Sequence, residues 1–587
     1  MTCSIKIIKS ITMKKTLHAV LTPVLIALIL SLTSVTAQPL SGNYTINSAL
    51  PTLGTNFQSF NDFASSINAN GISANVIATV EPGSGPYQES VIFNNVQGTG
   101  VGAGVTINGS GETISAVTSS ANRHVVRLTD CSFFAITNLH IVYDTASSGG
   151  TYGIHIFNSG SDISITNCDI DLSGTTSTLI GSIVASGSET SILEPGVFHR
   201  VTISGNTCTG GGYGVSVYGT VGNLASDVVI AENNIYDFHS NGIYLRETNG
   251  VLVRDNRFDK RTANIGTTNA IQIAQSANQN ASIYNNFISV SQIDNGTMTI
   301  RGIYLFGGSG HKVYNNVIHD VRLTRGNFSA IDVRASGSSP KIYFNTVSLD
   351  HGNATTGNLY GFREELSNTG TELRNNIFSL GQTSTGLKAC IALGTTSTVT
   401  SAVNSNYNDL YAPGGSVAVR GTTTPTSYIS LTDWSTASNQ DLNSVSVDPM
   451  FSSVASPVPT NLSLDNLGVS IGGYTVDVTG TLRSVTPDMG AYEFLSVGID
   501  KAGSIESFSV YPNPAISEIR FEMGSAMSDN YKLEIFSAEG RIVRTFEAKG
   551  TNSGTPGLLN IETLSPGKYF IRCLDGNIVR QSSFLKQ

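Results

Sequence analysis

Val313-Tyr314-Asn315-Asn316-Val317-Ile318 decides the fold, because its pattern of aliphatic-x-x-Asn-x-aliphatic comes back about every 30 residues. The asparagine recurs at Asn206, Asn233, Asn256, Asn286, Asn316, Asn345, Asn376 and, in a weaker last match, Asn406, at spacings of 27, 23, 30, 30, 29, 31 and 30 residues. A repeat of that length marks a chain that lays each coil on the one before it. Two earlier segments fit the same frame with an apolar residue in place of the amide, Leu139 in Ile136-Thr137-Asn138-Leu139-His140-Ile141 and Cys168 in Ile165-Thr166-Asn167-Cys168-Asp169-Ile170.

Ahead of the asparagine signal stands a second one, small-aliphatic-x-aliphatic, as in Gly242-Ile243-Tyr244-Leu245, Gly302-Ile303-Tyr304-Leu305 and Ala330-Ile331-Asp332-Val333. Such short alternations read as strands with one face buried, and the Gly, Ser, Thr and Asn between them supply turns. Two or three short strands per repeat, none able to bury its apolar face alone, predict the coils of a parallel β-helix, with neighbouring coils paired about 4.8 Å apart. An asparagine flanked by inward aliphatics at a bend would bond to the backbone and to the asparagine of the next coil, a structural role; a ligand role would require it to face solvent.

Charged residues make up 13% of the chain and glycines number 60, the composition of a turn-rich, weakly charged exterior. With 33 basic against 42 acidic residues and a net charge of -9, nothing here offers a footprint for nucleic acid. The amino terminus reads as a secretory leader, residues 1–37, with translation effectively starting at Met13: Lys14 and Lys15, an apolar run from Leu21 to Leu32, then Val35-Thr36-Ala37 before Gln38. That run is too short for a membrane anchor, and no later segment of the mature chain is long and apolar enough to span a bilayer. Cys131, Cys168, Cys208, Cys390 and Cys573 remain, an odd number without metal-ligand spacing, read as buried thiols with a Cys168–Cys208 disulfide as the lesser alternative.

From about residue 75 to 495 these repeats resemble the right-handed parallel β-helices of pectate lyases, polygalacturonases and many bacterial surface proteins. The resemblance implies a cap and first coils over 38–100, with Phe60, Phe63, Ala64 and Ile67 on one face of a short helix, then repeats over 101–440. It also implies a closing segment over 441–495 containing Asp448-Pro449-Met450-Phe451 and Pro487-Asp488-Met489-Gly490.

Past a linker at 496–503 the pattern changes to the strands and turns of a small antiparallel sandwich. Residues 504–587 resemble the sorting domain of the type IX secretion system through Tyr511-Pro512-Asn513-Pro514, a hairpin turning at Gly540, and Leu564 to Tyr569 with Gly567. That resemblance implies the type IX machinery as partner and a secreted or surface-attached fate. The expected fold is all-β, a right-handed parallel β-helix followed by a small antiparallel β-sandwich.

For chemistry, the residues between and after the inward aliphatics should form outward rows. One is His155, Ser216, Tyr244, Gln272, Tyr304, Asp332 and Arg363; beside it run Phe157, Tyr218, Arg246, Ala274, Phe306, Arg334 and Glu365. Aromatic faces suit sugar rings and arginine suits carboxylate or sulfate, so Tyr244, Arg246, Tyr304, Asp332, Arg334 and Arg363 are the candidates for binding an extracellular polysaccharide. Exposed strands favour tyrosine in any case, and Asp332 and Arg363 would be rung neighbours. A third row of Arg254, Tyr284, Tyr314, Tyr343 and Arg374 reads as self-stacking.

Candidates for catalysis are Asp332, Arg334, Arg363 and Glu365, but the Asp-Asp and Gly-His-Gly motifs of polygalacturonases are absent, Gly310-His311-Lys312 being a fragment. No cofactor is identified; calcium, which a pectate-lyase-like reaction would use, finds too few carboxylates beside those arginines. The alternative reading is an adhesive or structural surface rod.

Overall fold

The computed structural model describes residues 38–494 and 508–587, apart from positions 176, 178, 263–265, 276, 295, 335–338, 366–369, 395–402, 422–423, 523–529, 538–540, 550–556 and 576–577. The leader at 1–37, the linker at 496–503 and Gly540 lie outside the described residues. The chain is all-β, about 51% strand and 5% helix, with a β-solenoid of about 12 turns and then small antiparallel sheets. It divides into two units after Phe494.

One coil shows the plan. Thr299–Leu305, Lys312–Tyr314 and Val317–Leu323 are its three strands. Each pairs in parallel with its counterpart in the next coil, Asn327–Val333, Lys341–Tyr343 and Thr346–Ser348. Between the second and third strands the chain turns through one left-handed residue, Asn315 at φ 53°, followed by the inward Asn316. Asparagine and aspartate tolerate that conformation better than most residues, and Asp255, Asn285 and Asn375 repeat it.

The buried asparagines form one continuous ladder. Each amide oxygen accepts both the backbone N–H and the side-chain Nδ2 of the asparagine one coil earlier, at 2.9–3.1 Å from Asn206 onward. The other Nδ2 hydrogen goes to a strand carbonyl, as from Asn316 to Ile283 at 2.9 Å. Cys168 starts the series, its N–H donating to Asn206 Oδ1, and the hydroxyl of Ser444 ends it by accepting the N–H of Asn408.

The last rung corrects the sequence reading: it is Asn408, not Asn406. Register pairs Leu373 with Ser405, so serine takes the aliphatic place and the inward amide falls three residues later. Asn406 instead accepts the N–H groups of Tyr407 and Asn443.

Both ends are closed. At the amino end helix α1, Phe60–Asn70, buries Phe60, Phe63, Ala64 and Ile67, and its free N-terminal N–H groups on Phe60 and Asn61 are taken by Glu89 at 2.9 Å. At the other end, where repeats were expected to 440, the last parallel strand stops at Arg420 and a second helix, α2 (Leu431–Ser438), lays Trp434 over the core. Its indole N–H donates to Asp441 at 2.8 Å.

The segment after α2 does more than close the end. It runs back along the flank as a strap, over the coils between Asn376 and Phe287. Val469 exchanges hydrogen bonds with the Asn375 side chain, Val476 accepts from Asn315, and Ala491 donates to Thr346. Tyr284 and Tyr314 stack at 4.7 Å, and Tyr474 from the strap meets Tyr314 and Tyr343 edge-on at 4.9 and 5.2 Å. The tyrosine row is thus self-stacked and covered. Arg483, almost wholly buried over the Phe344 ring at 3.9 Å, ties strap to coil by donating to Asn315.

The five cysteines are free and buried. His311 is pinned as the neutral imidazole, Nδ1 accepting from Ala281 N–H and Nε2 lying 3.0 Å from the Gly307 carbonyl. Burial lowers its pKa to about 4. An imidazole whose folded pKa lies below its unfolded value contributes stability that is complete above about pH 6.5 and is lost as pH falls. The stability advantage of wild type over His311→Gln should therefore shrink by as much as about 3 kcal/mol between pH 7.5 and 4. Denaturant unfolding of both proteins across that range checks it, and a gap independent of pH would contradict a neutral buried His311.

In the carboxy-terminal unit, Ser509–Tyr511, Glu518–Glu522 and Gly557–Asn560 form one sheet, and Asn530–Ser537, Ile542–Lys549, Gly567–Asp575 and Ile578–Lys586 another. Phe521, Leu533, Ile535, Ile571 and Phe584 are among the residues of a shared core. Asn513, between Pro512 and Pro514, holds the final strand from both amide atoms, accepting Leu585 N–H at 2.8 Å and donating to the Ser583 carbonyl. Tyr569 stacks on Phe584 and donates to the Ser565 carbonyl.

Candidate functional site

Strand register puts Tyr244, Gln272, Tyr304, Asp332 and Arg363 in one row on the outer side of the sheet, as alternation predicts. Nearer the amino end the row contains a coil missed in the sequence: Gly181–Ser186 places Val184 between His155 and Ser216.

Outward does not mean exposed here. Tyr244, Tyr304 and Asp332 are 7%, 5% and 0% accessible, which corrects the expectation of an open aromatic strip. Tyr244 packs with Tyr213, Ala274 and Ile192, the last from the loop after Ser186. Arg301 lies 4.2 Å over the Tyr304 ring and donates to Asp332 Oδ2 at 2.8 Å. Alternation distinguishes core from exterior; it says nothing of what lies on the exterior face.

The charged groups most open to solvent are cationic. Arg334 is 48% exposed and Arg363 and Arg246 are each 26% exposed at the side chain. Charges alternate across the coils: Arg301 to Asp332 at 2.8 Å, Asp332 to Arg363 at 3.6 Å, Arg363 to Glu365 at 2.8 Å and Glu365 to Arg334 at 2.9 Å. The four sequence-derived candidates Asp332, Arg334, Arg363 and Glu365 therefore meet, together with Arg301, which the sequence reading passed over. Register was the available signal: Arg301 stands two residues ahead of Ile303, as Asn269 does ahead of Ile271.

Three guanidinium groups face two carboxylates. Burial pushes the Asp332 carboxyl above its ordinary range while Arg363 and Arg301 pull it down, and its Oδ1 is buried without a hydrogen-bond partner. Arg334 also lies 5.5 Å over the Phe306 ring, leaving a half-exposed arginine beside a partly buried aromatic edge. Arg246 lies over the buried Tyr218 ring at 4.4 Å.

A second concave feature lies on another face, near the amino end and clear of the strap. Asn108, Ser110, Gly111, Asn138, Leu139, His140, Asn167 and Asp169 line a depression of about 580 Å³. Here Thr113, His140 and Asp169 stand on three successive coils, His140 paired with Thr113 on one side and Asp169 on the other. The Thr113 hydroxyl is 3.0 Å from His140 Nδ1, and Nε2 is 3.8 Å from the Asp169 carboxylate. Aligning the residues that follow Leu139 and Cys168 would have brought His140 over Asp169 from sequence alone.

Among the described residues no group of three or more His, Cys, Asp or Glu side chains is placed to hold a metal ion, and no helix is long and apolar enough to cross a membrane.

Residues 170–347 match the family described as the right handed beta helix region, and residues 509–587 match the secretion system C-terminal sorting domain. Comparison with curated proteins finds no match. Among solved structures the chain is similar to pectate lyase Pel9A, with 12% identity, 78% of this chain and 98% of that one covered, and a TM-score of 0.39. It is also similar to PfbA, a surface adhesin of Streptococcus pneumoniae, with 13% identity, 62% and 84% coverage and a TM-score of 0.34. A third similarity is to GH136 lacto-N-biosidase from Eubacterium ramulus, at 14% identity and a TM-score of 0.34, covering 55% of this chain and 64% of that one, less than two thirds of its length.

Proposed function

We propose that this chain, a right-handed β-helix carrying a type IX sorting tail, acts outside the cell by holding an anionic polysaccharide against the outer face of its middle coils. The observation that carries the reading is the excess of guanidinium over carboxylate around Asp332, with Arg334 half exposed beside Phe306. A guanidinium can make two-point contacts with a carboxylate or sulfate substituent while the aromatic edge meets the apolar face of a sugar. Tyr244 and Tyr304 support this surface from beneath; the contacts fall to Arg334, Arg363, Phe306 and Arg246.

Because the contact residues are superficial, Arg334→Ala with Phe306→Ala should leave the melting temperature nearly unchanged while weakening retention of an acidic polysaccharide about tenfold or more. Added salt should weaken the wild type in the same direction. Affinity electrophoresis against acidic and neutral polysaccharides, followed by a degradation assay on any that binds, tests both binding and processing. If wild type retains none of them, or the double variant binds equally well, the reading gives way to a surface rod without a glycan site.

A further inference from the structure

We infer that Thr113, His140 and Asp169 form a second site, a hydrolytic relay for small O-acyl esters of polyhydroxylated compounds. Three observations carry it. The hydroxyl is within hydrogen-bond reach of one imidazole nitrogen, at 3.0 Å, and a carboxylate faces the other at 3.8 Å. That is the order a nucleophile, its base and the group orienting the base require. The separation on the carboxylate side is an ion-pair distance, and such contacts tighten when charge develops on the ring.

Second, the geometry is set by backbone pairing: His140 is flanked in register by both partners, so the three side chains leave the same face of three adjacent strands. Third, His140 and Asp169 line a depression whose other polar groups are neutral, the amides of Asn108, Asn138 and Asn167 and the hydroxyl of Ser110, with Thr113 hydrogen-bonded to His140 at its margin. Amides and a hydroxyl match the hydroxyl groups of a polyol, and Asn138 and Asn167 are exposed to meet them. The corresponding face over Phe287 and Val317 is packed by Tyr492 from the strap.

The steps balance. Thr113 Oγ attacks the ester carbonyl as its proton passes to His140 Nδ1; the imidazolium is stabilised by Asp169 and returns the proton to the departing alcohol as the ester C–O bond breaks. Water then attacks the acyl-threonine, giving one proton to His140, which restores it to Thr113 as the carboxylic acid leaves. No metal or oxidant takes part.

The test measures acetate release from p-nitrophenyl acetate and from a peracetylated hexose by the full chain and three variants. Thr113→Val, which keeps the shape and removes the hydroxyl, and His140→Gln should each lower kcat/KM by roughly 100-fold or more, with Asp169→Asn losing less. Denaturing mass spectrometry after rapid quenching should find an acetyl group on the peptide containing Thr113. No hydrolysis by wild type, or a Thr113→Val protein as active as wild type, overturns the proposal; loss in His140→Gln alone removes the threonine from it and overturns the relay.

Discussion

Replacing Asn316 by leucine should destabilise the β-helix by about 1 to 3 kcal/mol without touching either candidate site. The amide oxygen of Asn316 accepts two donors from Asn286, the backbone N–H at 3.1 Å and Nδ2 at 2.9 Å, and all of these groups are buried. Leucine has similar bulk and no acceptor, so the Asn286 N–H stays dry and unpaired, at about 1 to 3 kcal/mol, while Asn286 Nδ2 keeps the Val253 and Tyr284 carbonyls. The Ile283 carbonyl and Asn345 Oδ1 each lose a donor as well. Coils contact only their neighbours, so the damage should appear as faster amide exchange centred on the coils of Asn286 and Asn316. A melting temperature equal to wild type, or exchange unaltered there, would contradict a dry and continuous ladder.

Removal of residues 504–587 should abolish appearance of the protein outside the cell while leaving the β-helix folded. The sorting domain occupies 509–587, and its core of residues from Phe508 to Phe584 is its own. The β-helix meanwhile has both ends closed, by α1 and by Trp434 on α2. Truncated protein should accumulate inside the cell with the circular dichroism and melting temperature of the solenoid; normal levels at the surface or in the medium would refute a sorting role for the tail. Within the tail, Asn513→Ala should free the last strand by removing both of its side-chain bonds to Ser583 and Leu585.

Periodicity made the coils legible because each demands the same inward residues, and even the register of the outer rows follows from it. The limits have particular causes. Ser405 in an aliphatic place moved the apparent last rung to Asn406. The coil at Gly181–Ser186, whose asparagine is Asn206, escaped because Ala185 stands in the second aliphatic place of its first strand, opposite Ile156. The strap, largely without regular structure, has no period by which to read it, and helix α2 carries few apolar residues around Trp434. The candidate site was half legible: the charged residues could be named, but the stacking of Arg301 on Tyr304 and the packing of Ile192 near Tyr244 arise between coils, where alternation within a strand is silent.

The strap divides the solenoid into two regions with different tolerance for change in length. Because its hydrogen bonds reach the coils of Asn315, Thr346 and Asn375 at fixed intervals, a duplicated or deleted repeat between Phe287 and Asn376 would shift those partners out of phase with Val476, Ala491 and Val469. Among the described residues, coils from Cys168 to Asn256 carry no such hydrogen-bonded tether, and their repeats already vary between 23 and 38 residues. Insertions and deletions in the lineage of this protein should therefore accumulate in its amino-terminal coils, while the carboxy-terminal coils keep their number, a vernier locked at one setting beside a stack free to grow.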